Sequence, residues 1–474
     1  MTPLEQTLAL LKDRHEAILA ELVEFASIPS VSTDPAHHAD VIRAAEFVAT
    51  QLRAQRPGPR AQGSGLSVQT FTERGNPVVF AEWLGAPGKL TALVYGHYDV
   101  QPPDPLDKWD TPPFEPTVRD GRLYARGVSD DKGPMLIPIK VAEAFFASGS
   151  ALPINVKFLI EGEEEIGSPN LEAFVAAHRD LLAADVVLSA DGAMWRIDEP
   201  SLTVSNRGLV GLELTLTGAA RDLHSGRYGG SVANPLHGMA ALIASLHHPD
   251  GRVAVEGFYD RVRELDAAER AAIARLPFDE QAWLARIDAP AAVGEPGYTT
   301  LERNWTRPTL EINGMWGGYQ GPGQKTVIPG EAHAKITCRL VPDQRPDEIV
   351  ALVSRHLEAH VPAGTRLSIT PRAHGTPAAH IAPDHFALKA AGAALRRVYG
   401  VDPLVVRMGG TVPVAEIFQR LMGLDTVYFS FSTADEDFHA PNEFFRVHRL
   451  HEGLEAWARL WSVLGEMEIG KGEK

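Results

Sequence analysis

INVKFLIEGEEEIGS, residues 154–168, sets an apolar run directly ahead of four carboxylates in five positions. Ile154 to Ile160 reads as a buried strand, rich in Ile, Val, Phe and Leu and interrupted only by Asn155 and Lys157. Glu161, Glu163, Glu164 and Glu165 come at once after it, with no positive charge among them. A solvated loop would tolerate such a cluster, because water and salt screen the repulsion. A multivalent cation would instead make use of it. The choice turns on the other strands, because open α/β sheets bind ligands beyond the carboxyl ends of their strands.

Other short runs share this texture: PVVFAEWL (77–84), LTALVYGHYDV (90–100), ADVVLSADG (184–192) and LDTVYFSF (424–431). Between and around them lie helical patterns at 4–25, 40–54, 133–149, 170–184, 383–400 and 448–466. Strand–helix alternation predicts an α/β domain whose central sheet is mostly parallel and carries helices on its faces. From about residue 206 the pattern changes. GLVGLELTLTG (208–218) and EAHAKITCRLVP (331–342) alternate apolar and polar residues as half-buried antiparallel strands do, with helical patterns at 234–247 and 345–360. The simplest organisation is an α+β domain at 206–380 inserted into an α/β domain built from 1–205 and 381–474.

Composition narrows the chemistry. The chain has 474 residues, more than one ordinary domain, and a formal charge of −16 disfavours nucleic acid and anionic membranes as partners. Its one cysteine, Cys338, excludes an intrachain disulfide and a four-cysteine zinc site, so any metal must be held by His, Asp and Glu. In a strand, Cys338 reads as a small buried hydrophobe. MTPLEQTLALLKDRHEAILAEL (1–22) is charged throughout, unlike a signal peptide, and no stretch approaches the roughly 18 uncharged apolar residues of a membrane span. A soluble cytoplasmic protein is expected.

The residues at the end of each predicted strand are more specific. LTALVYGHYDV delivers His97 and Asp99, two apart and so on one strand face. GRLYARGVSDDKG (121–133) delivers Asp130 and Asp131 at a loop-to-helix junction, ADVVLSADG delivers Asp191, and LDTVYFSFSTADEDFHAPNE (424–443) delivers His439. Each has an ordinary reading alone: a structural histidine, an N-capping Asp, a turn Asp before Gly192. Recurrence at successive strand ends is the pattern that the ordinary readings leave unexplained.

GHYDVQP (96–102), ARGVSDDKGP (125–134), EGEEEIGS (161–168), SADG (189–192), DLHSGRYGGSVANP (222–235), KTVIPG (325–330), CRLVP (338–342), GGTVPV (409–414) and HAPNE (439–443) run in order along nearly the whole chain. In that order they resemble the motifs of the dinuclear zinc peptidases and deacylases, the family of carnosinase, cytosolic non-specific dipeptidase, glutamate carboxypeptidase, acetylornithine deacetylase and aminoacylase. DLHSGRYGGSV resembles the dipeptidase and carnosinase branch, while HAPNE is as similar to the deacylases.

The resemblance implies that His97 and Asp191 bind one divalent ion, Glu165 and His439 another, and that Asp130 bridges the two. The ions would be zinc or manganese. Asp99 would orient His97 from behind, and Glu164 would be the general base toward a metal-bridging hydroxide. It leaves Glu161 and Glu163 without a role. The inserted domain would be a lid and dimer interface, with His224 reaching the partner's site in a homodimer to stabilise the oxyanion. Thr326, Arg339 and Thr411 would hold the substrate, Arg339 through its bidentate fork. On residue type alone, Arg339 fits an ordinary strand ion pair and His224 a turn histidine equally well. The function implied is hydrolysis of dipeptides or short peptides with a free C-terminus. The alternatives are an N-acyl amino acid deacylase using the same centre and, in another class, an inactive dimeric binding protein. GGYQGPGQKT (317–326) nearly spells a phosphate loop, but Gln324 separates Gly323 from Lys325 and no apolar strand leads into it. His37–His38 and His247–His248 lie beside predicted helices with no acidic motif and read as surface.

Overall fold

The computed structural model describes residues 1–55, 65–372 and 375–467, which divide into two compact units. The first comprises Met1–Val204, Ile381–Val406 and Ile417–Lys474; the second, Ser205–His380 and Arg407–Glu416.

In the first unit six strands form one sheet in the order Ser67–Phe71, Val78–Trp83, Asn155–Glu161, Thr91–His97, Val186–Ser189, Thr426–Tyr428. The last four pair in parallel, and the first two add an antiparallel edge. The parallel register sets His97 level with Glu161, and Ala190 N donates to Tyr95 O at 2.8 Å. The carboxyl ends of three neighbouring strands therefore finish together. Asn155–Glu161 is buried along its whole length, as its largely apolar texture predicts, with Asn155, Lys157 and Glu161 buried along with it.

The helix Gly133–Ala147 is apolar nearly all round and is correspondingly enclosed. It packs with Val447–Glu466, whose Trp457 and Trp461 are fully buried. The helical pattern at 4–25 resolves into two helices, Pro3–Asp13 and His15–Ala26. The break falls at Arg14, whose backbone leaves helical geometry (φ −102°, ψ 7°) while its guanidinium donates to Glu143 at 2.5 Å. The pattern at 170–184 likewise splits, into Leu171–Ala177 and Arg179–Leu182.

The second unit has an antiparallel sheet in the order Thr309–Gly317, Glu331–Leu340, Gly208–Thr217, Arg366–Pro371. Ala332, Ala334, Ile336, Cys338 and Leu340 are buried in alternation with more exposed neighbours, which is the period-two signal read from the sequence. Pro235–Ser245 and Pro346–Ala359 pack on this sheet. The helices Ala267–Ala274, Glu280–Arg286 and Thr300–Thr306 and the short Ser225–Tyr228 were not anticipated. The signal for two of them was present as capping boxes, Asp266 with Glu269 and Thr299 with Glu302.

Arg407–Glu416, placed by the sequence reading in the second part of the α/β domain, belongs by contact to the second unit. Arg207 N donates to Gly410 O at 2.9 Å and Asn206 Nδ2 to Val412 O at 3.1 Å, tying the segment to the strand region around residue 206.

Candidate metal centre

The carboxylates and imidazoles named for the centre lie in the first unit, where backbone geometry brings their donor atoms together. His97 closes the strand Thr91–His97 and is fully buried. Its Nδ1 faces Asp99, at 3.1 Å from the backbone O and 3.4 Å from Oδ1. That fixes the ring so that Nε2 meets Asp130 Oδ1 at 3.1 Å. The other Asp130 oxygen, Oδ2, lies 3.1 Å from His439 Nε2, which in turn lies 3.2 Å from Glu165 Oε2. Asp130 thus turns one oxygen toward each of two donor groups: His97, Asp130 and Asp191, and Asp130, Glu165 and His439, each with ligand atoms within 4.8 Å of one another.

Three consecutive residues of the DDKG turn go to three destinations. Asp130 faces the donor groups. Asp131, fully enclosed, accepts from His97 N at 3.2 Å and so braces the strand end. Lys132 Nζ donates to Phe25 O at 3.2 Å and Ile28 O at 2.6 Å, satisfying carbonyls at the end of the helix His15–Ala26. Burial of Lys132 lowers its pKa to about 7.

The glutamate cluster divides cleanly. Glu161 Oε1 accepts from Tyr95 OH at 2.7 Å and Ser168 Oγ at 2.9 Å. Glu163 accepts from Asn76 N at 3.1 Å and Asn170 Nδ2 at 2.9 Å. Both are buried supports of the segment rather than members of the donor groups. Asp99 accepts from the backbone of Glu164 (3.2 Å) and Glu165 (3.1 Å), fixing the short 3₁₀ turn Glu164–Ile166. Gln101 Nε2 holds Glu165 Oε2 at 2.9 Å. Among the described residues the Glu164 carboxylate accepts no hydrogen bond of its own and is left available beside the donors.

Charge responds to this crowding. With only protein charges acting, burial pushes Asp191 up to about 7 and holds Glu164 well above the usual carboxylate range, the latter reinforced by Asp191, Asp130 and Glu165. Asp130 moves the other way: burial opposes ionisation, but the hydrogen bonds from His439 and His97 outweigh it. Hydrogen bonds to Asp130 and Glu165 raise His439 to about 10. The donor set fits two divalent cations. Imidazole and carboxylate ligands held about 2.0–2.2 Å from zinc stand about 3.3–3.6 Å apart across a tetrahedral edge, close to the 3.1 and 3.2 Å separations here.

Two supporting residues were missed in the sequence. Glu443, the last residue of HAPNE, is 1% exposed and pairs with Arg126, equally buried, at 2.6 Å. It also accepts from the backbone of Gly127 (2.8 Å), Ser129 (2.9 Å) and Asp130 (3.2 Å), so it shapes the turn that presents Asp130. The motif flagged Glu443; nothing in sequence could name Arg126, 317 positions away, as its partner.

The residues named for substrate binding lie in the second unit. Arg339 Nη1 donates to Thr411 Oγ1 at 2.7 Å, which brings those two together. His224 pairs with Val327 on a two-stranded ladder, and Ser225 N donates to Thr326 O at 3.0 Å, so His224 and Thr326 are also neighbours. His224 is exposed, and its Nδ1 accepts from Gly226 N at 3.0 Å. Arg207 was not foreseen. Its Nε donates to Gly409 O at 2.9 Å, and burial together with the charge of Arg339 lowers its pKa to about 10.

The profile of Peptidase family M20/M25/M40 matches residues 93–462. Beta-Ala-His dipeptidase of Homo sapiens is 31% identical over 477 residues, covering 98% of this chain and 93% of the relative. Cys-Gly metallodipeptidase dug1 of Schizosaccharomyces pombe is 29% identical over 460 residues, covering 95% and 96%. The solved structure of an M20 family metallo-carboxypeptidase, Sso-CP2 from Sulfolobus solfataricus, superposes with a TM-score of 0.82 at 30% identity, covering 95% of this chain and 99% of that one.

Glu443→Gln removes the charge that organises the Asp130 turn while keeping its size. Divalent-ion affinity should fall about 10–100-fold, the usual effect of losing a partner behind a ligand, when titrated against a chromophoric chelator with circular dichroism unchanged. Unaltered affinity would leave Glu443 with a purely structural task.

Proposed function

The chain belongs to peptidase family M20/M25/M40, and we propose that within it the chain is a metal-dependent dipeptidase, hydrolysing dipeptides or short peptides with a free C-terminus. The observation that carries this reading is Asp130, one oxygen toward each of two donor groups, with the uncommitted Glu164 beside them. The substrate class is supported by the relatives, of which one is a Beta-Ala-His and another a Cys-Gly dipeptidase.

Two divalent ions, zinc or manganese, held by His97 and Asp191, by Glu165 and His439, and by Asp130 in common, would acidify water and polarise a carbonyl. Asp99 keeps the His97 ring in the tautomer whose Nε2 lone pair faces the donor group. Glu164 takes a proton from the attacking water and returns it to the nitrogen of the departing amine. Arg339, steadied by Thr411, receives the substrate's terminal carboxylate. Arg207 and Arg339 place two guanidiniums within mutual influence, which favours an anion there. The exposed His224, next to Thr326, donates in trans to the oxyanion across a homodimer. No helix among the described residues is long and apolar enough to cross a membrane; a cytoplasmic enzyme is our reading.

The direct test is hydrolysis. The purified protein should cleave dipeptides in preference to N-acetyl amino acids, lose activity to a chelator and regain it with zinc or manganese. Glu164→Gln should retain its metal content yet lose about 10²–10⁴ in turnover, whereas Glu165→Gln should lose metal. The opposite pattern would reverse the two assignments.

Arg339→Met cannot supply paired donors. Hydrolysis of free dipeptides should collapse through KM, while dipeptide amides, poor substrates for the unaltered enzyme, should change little. Equal proportional loss on both would return Arg339 to a structural role.

His224 is tested by subunit exchange. His224→Ala alone should cost about 10²–10³ in turnover, as loss of an oxyanion donor does. Mixed with Glu164→Gln chains under conditions that let dimers re-form, a trans arrangement yields one intact site per mixed dimer and activity returns. Mixed dimers verified by mass yet silent would place His224 in cis or outside the chemistry.

A further inference from the structure

Resting on the dipeptidase reading, we propose that Arg207 sets specificity within it: Arg207 and Arg339 together take two carboxylates, so the preferred substrates are dipeptides ending in aspartate or glutamate. Both side chains belong to the second unit. Arg339 stands opposite Leu209 on the antiparallel ladder, and Arg207, two residues before Leu209, takes the diagonal position on the same face. The contacts agree. Arg207 Nε donates to Gly409 O at 2.9 Å and its backbone N to Gly410 O at 2.9 Å, while Arg339 Nη1 donates to Thr411 Oγ1 at 2.7 Å. Three consecutive residues thus hold both guanidiniums. Gly409 lets the segment lie this close, because a Cβ there would stand 3.3 Å from Arg207 Nη2 and 3.1 Å from Asn304 O.

Neither guanidinium is matched by a carboxylate. Among the described residues no Asp or Glu forms an ion pair with Arg207 or Arg339, whose side-chain bonds go to a carbonyl and a hydroxyl. Arg207 is only 8% exposed, and its buried Nη1 finds no acceptor. Glu311 is the acidic side chain whose charge reaches Arg207, but it is exposed, and burial and the repulsion of Arg339 together outweigh it. Burial lowers Arg339 as well. A buried charged donor without a partner is costly. The terminal carboxylate of a substrate answers Arg339 and leaves Arg207 as it is. A second carboxylate, on the side chain of the same residue, supplies Arg207 with acceptor and charge together. Asparagine or glutamine in that place offers the acceptor without the charge.

The probes are alanyl-glutamate and alanyl-glutamine, equal in size and different in one charge, given to the metal-loaded enzyme. The ratio of their kcat/KM values should favour alanyl-glutamate at least about tenfold, as one charged hydrogen bond does. Arg207→Gln keeps a donor for Gly409 O but loses the charge; the preference should vanish while hydrolysis of alanyl-glutamine changes little. Free glutamate should inhibit the unaltered enzyme competitively at concentrations at least about tenfold below those needed for glutamine. That comparison requires no substitution and stands if Arg207→Gln fails to fold. Equal rates on the two dipeptides, equal inhibition by the two amino acids, or a preference that survives in folded Arg207→Gln would each overturn the proposal. So would equal loss on both dipeptides, which would make Arg207 a support for Thr411 and Arg339 instead. Hydrolysis of neither dipeptide is a distinct result: it would remove the dipeptidase reading, and this inference with it.

Discussion

Carboxylate crowding at the ends of the parallel strands is the constraint around which the first unit is built. Asp99, Asp130, Asp131, Glu164, Glu165 and Asp191 converge where the parallel strands end, with the imidazoles of His97 and His439 among them. Two imidazoles, even if both were protonated, cannot balance six carboxylates. The outcome without other charge is visible in the directions taken: Asp131, Glu164 and Asp191 are driven toward the neutral form by burial, whereas Asp130, flanked by both histidines, is driven toward the ionised one. Divalent cations resolve the conflict at a stroke, and the donor spacing is right for them.

Such a cluster stays folded only if the backbone beneath it is held independently of the charge. Glu443 and Arg126 do this for the Asp130 turn. A buried ion pair is weak grounds for stability, since desolvation consumes much of its attraction. What this one provides is placement, because Glu443 collects three backbone donors of the turn along with the guanidinium. A second layer stands behind it: Ser129 Oγ donates to Glu436, Ser432 Oγ donates to the Ser129 carbonyl at 2.6 Å, and Arg446 pairs with Glu436 at 3.0 Å and Asp435 at 2.6 Å. Gly162 serves the same end for the glutamate segment, where a Cβ would stand 2.3 Å from the Tyr98 ring. Only glycine lets that segment close over the strand end.

Much of this was legible in the sequence, for physical reasons. Strands buried on both faces leave uninterrupted apolar runs, and a half-buried antiparallel sheet leaves alternation, so both sheets could be read from periodicity. The candidate ligands were picked out because most of them follow a strand of the parallel sheet, whose ends the fold brings to one place. Segmentation was less so: Arg14 interrupts a helix with no glycine or proline to announce it, and Ser67–Phe71 is too short and too polar to stand out as an edge strand. Roles for Glu161 and Glu163 were unreadable, because Tyr95, Ser168, Asn76 and Asn170 reach them only through the tertiary fold. Arg126 and Arg207 share that cause, their partners lying hundreds of positions away.

The residues proposed for chemistry and those proposed for recognition lie in different units of one chain. The candidate ligands and Glu164 sit at or beyond the ends of a parallel sheet whose strands are fixed by ladder hydrogen bonds and a buried core, which is the rigidity that charge placement demands. The candidate substrate residues sit on an antiparallel sheet, a two-stranded ladder and the segment Arg407–Glu416. That segment shows how the division is kept. It lies between stretches of the first unit in sequence, yet Asn206, Arg207 and Arg339 all bond to it, so Thr411 belongs with Arg339 rather than with the ligands. Arg207, Arg339 and Thr411 thus bond among themselves and to their own segment, while Asp99, Asp130 and Glu165 are held by contacts in which none of the three takes part.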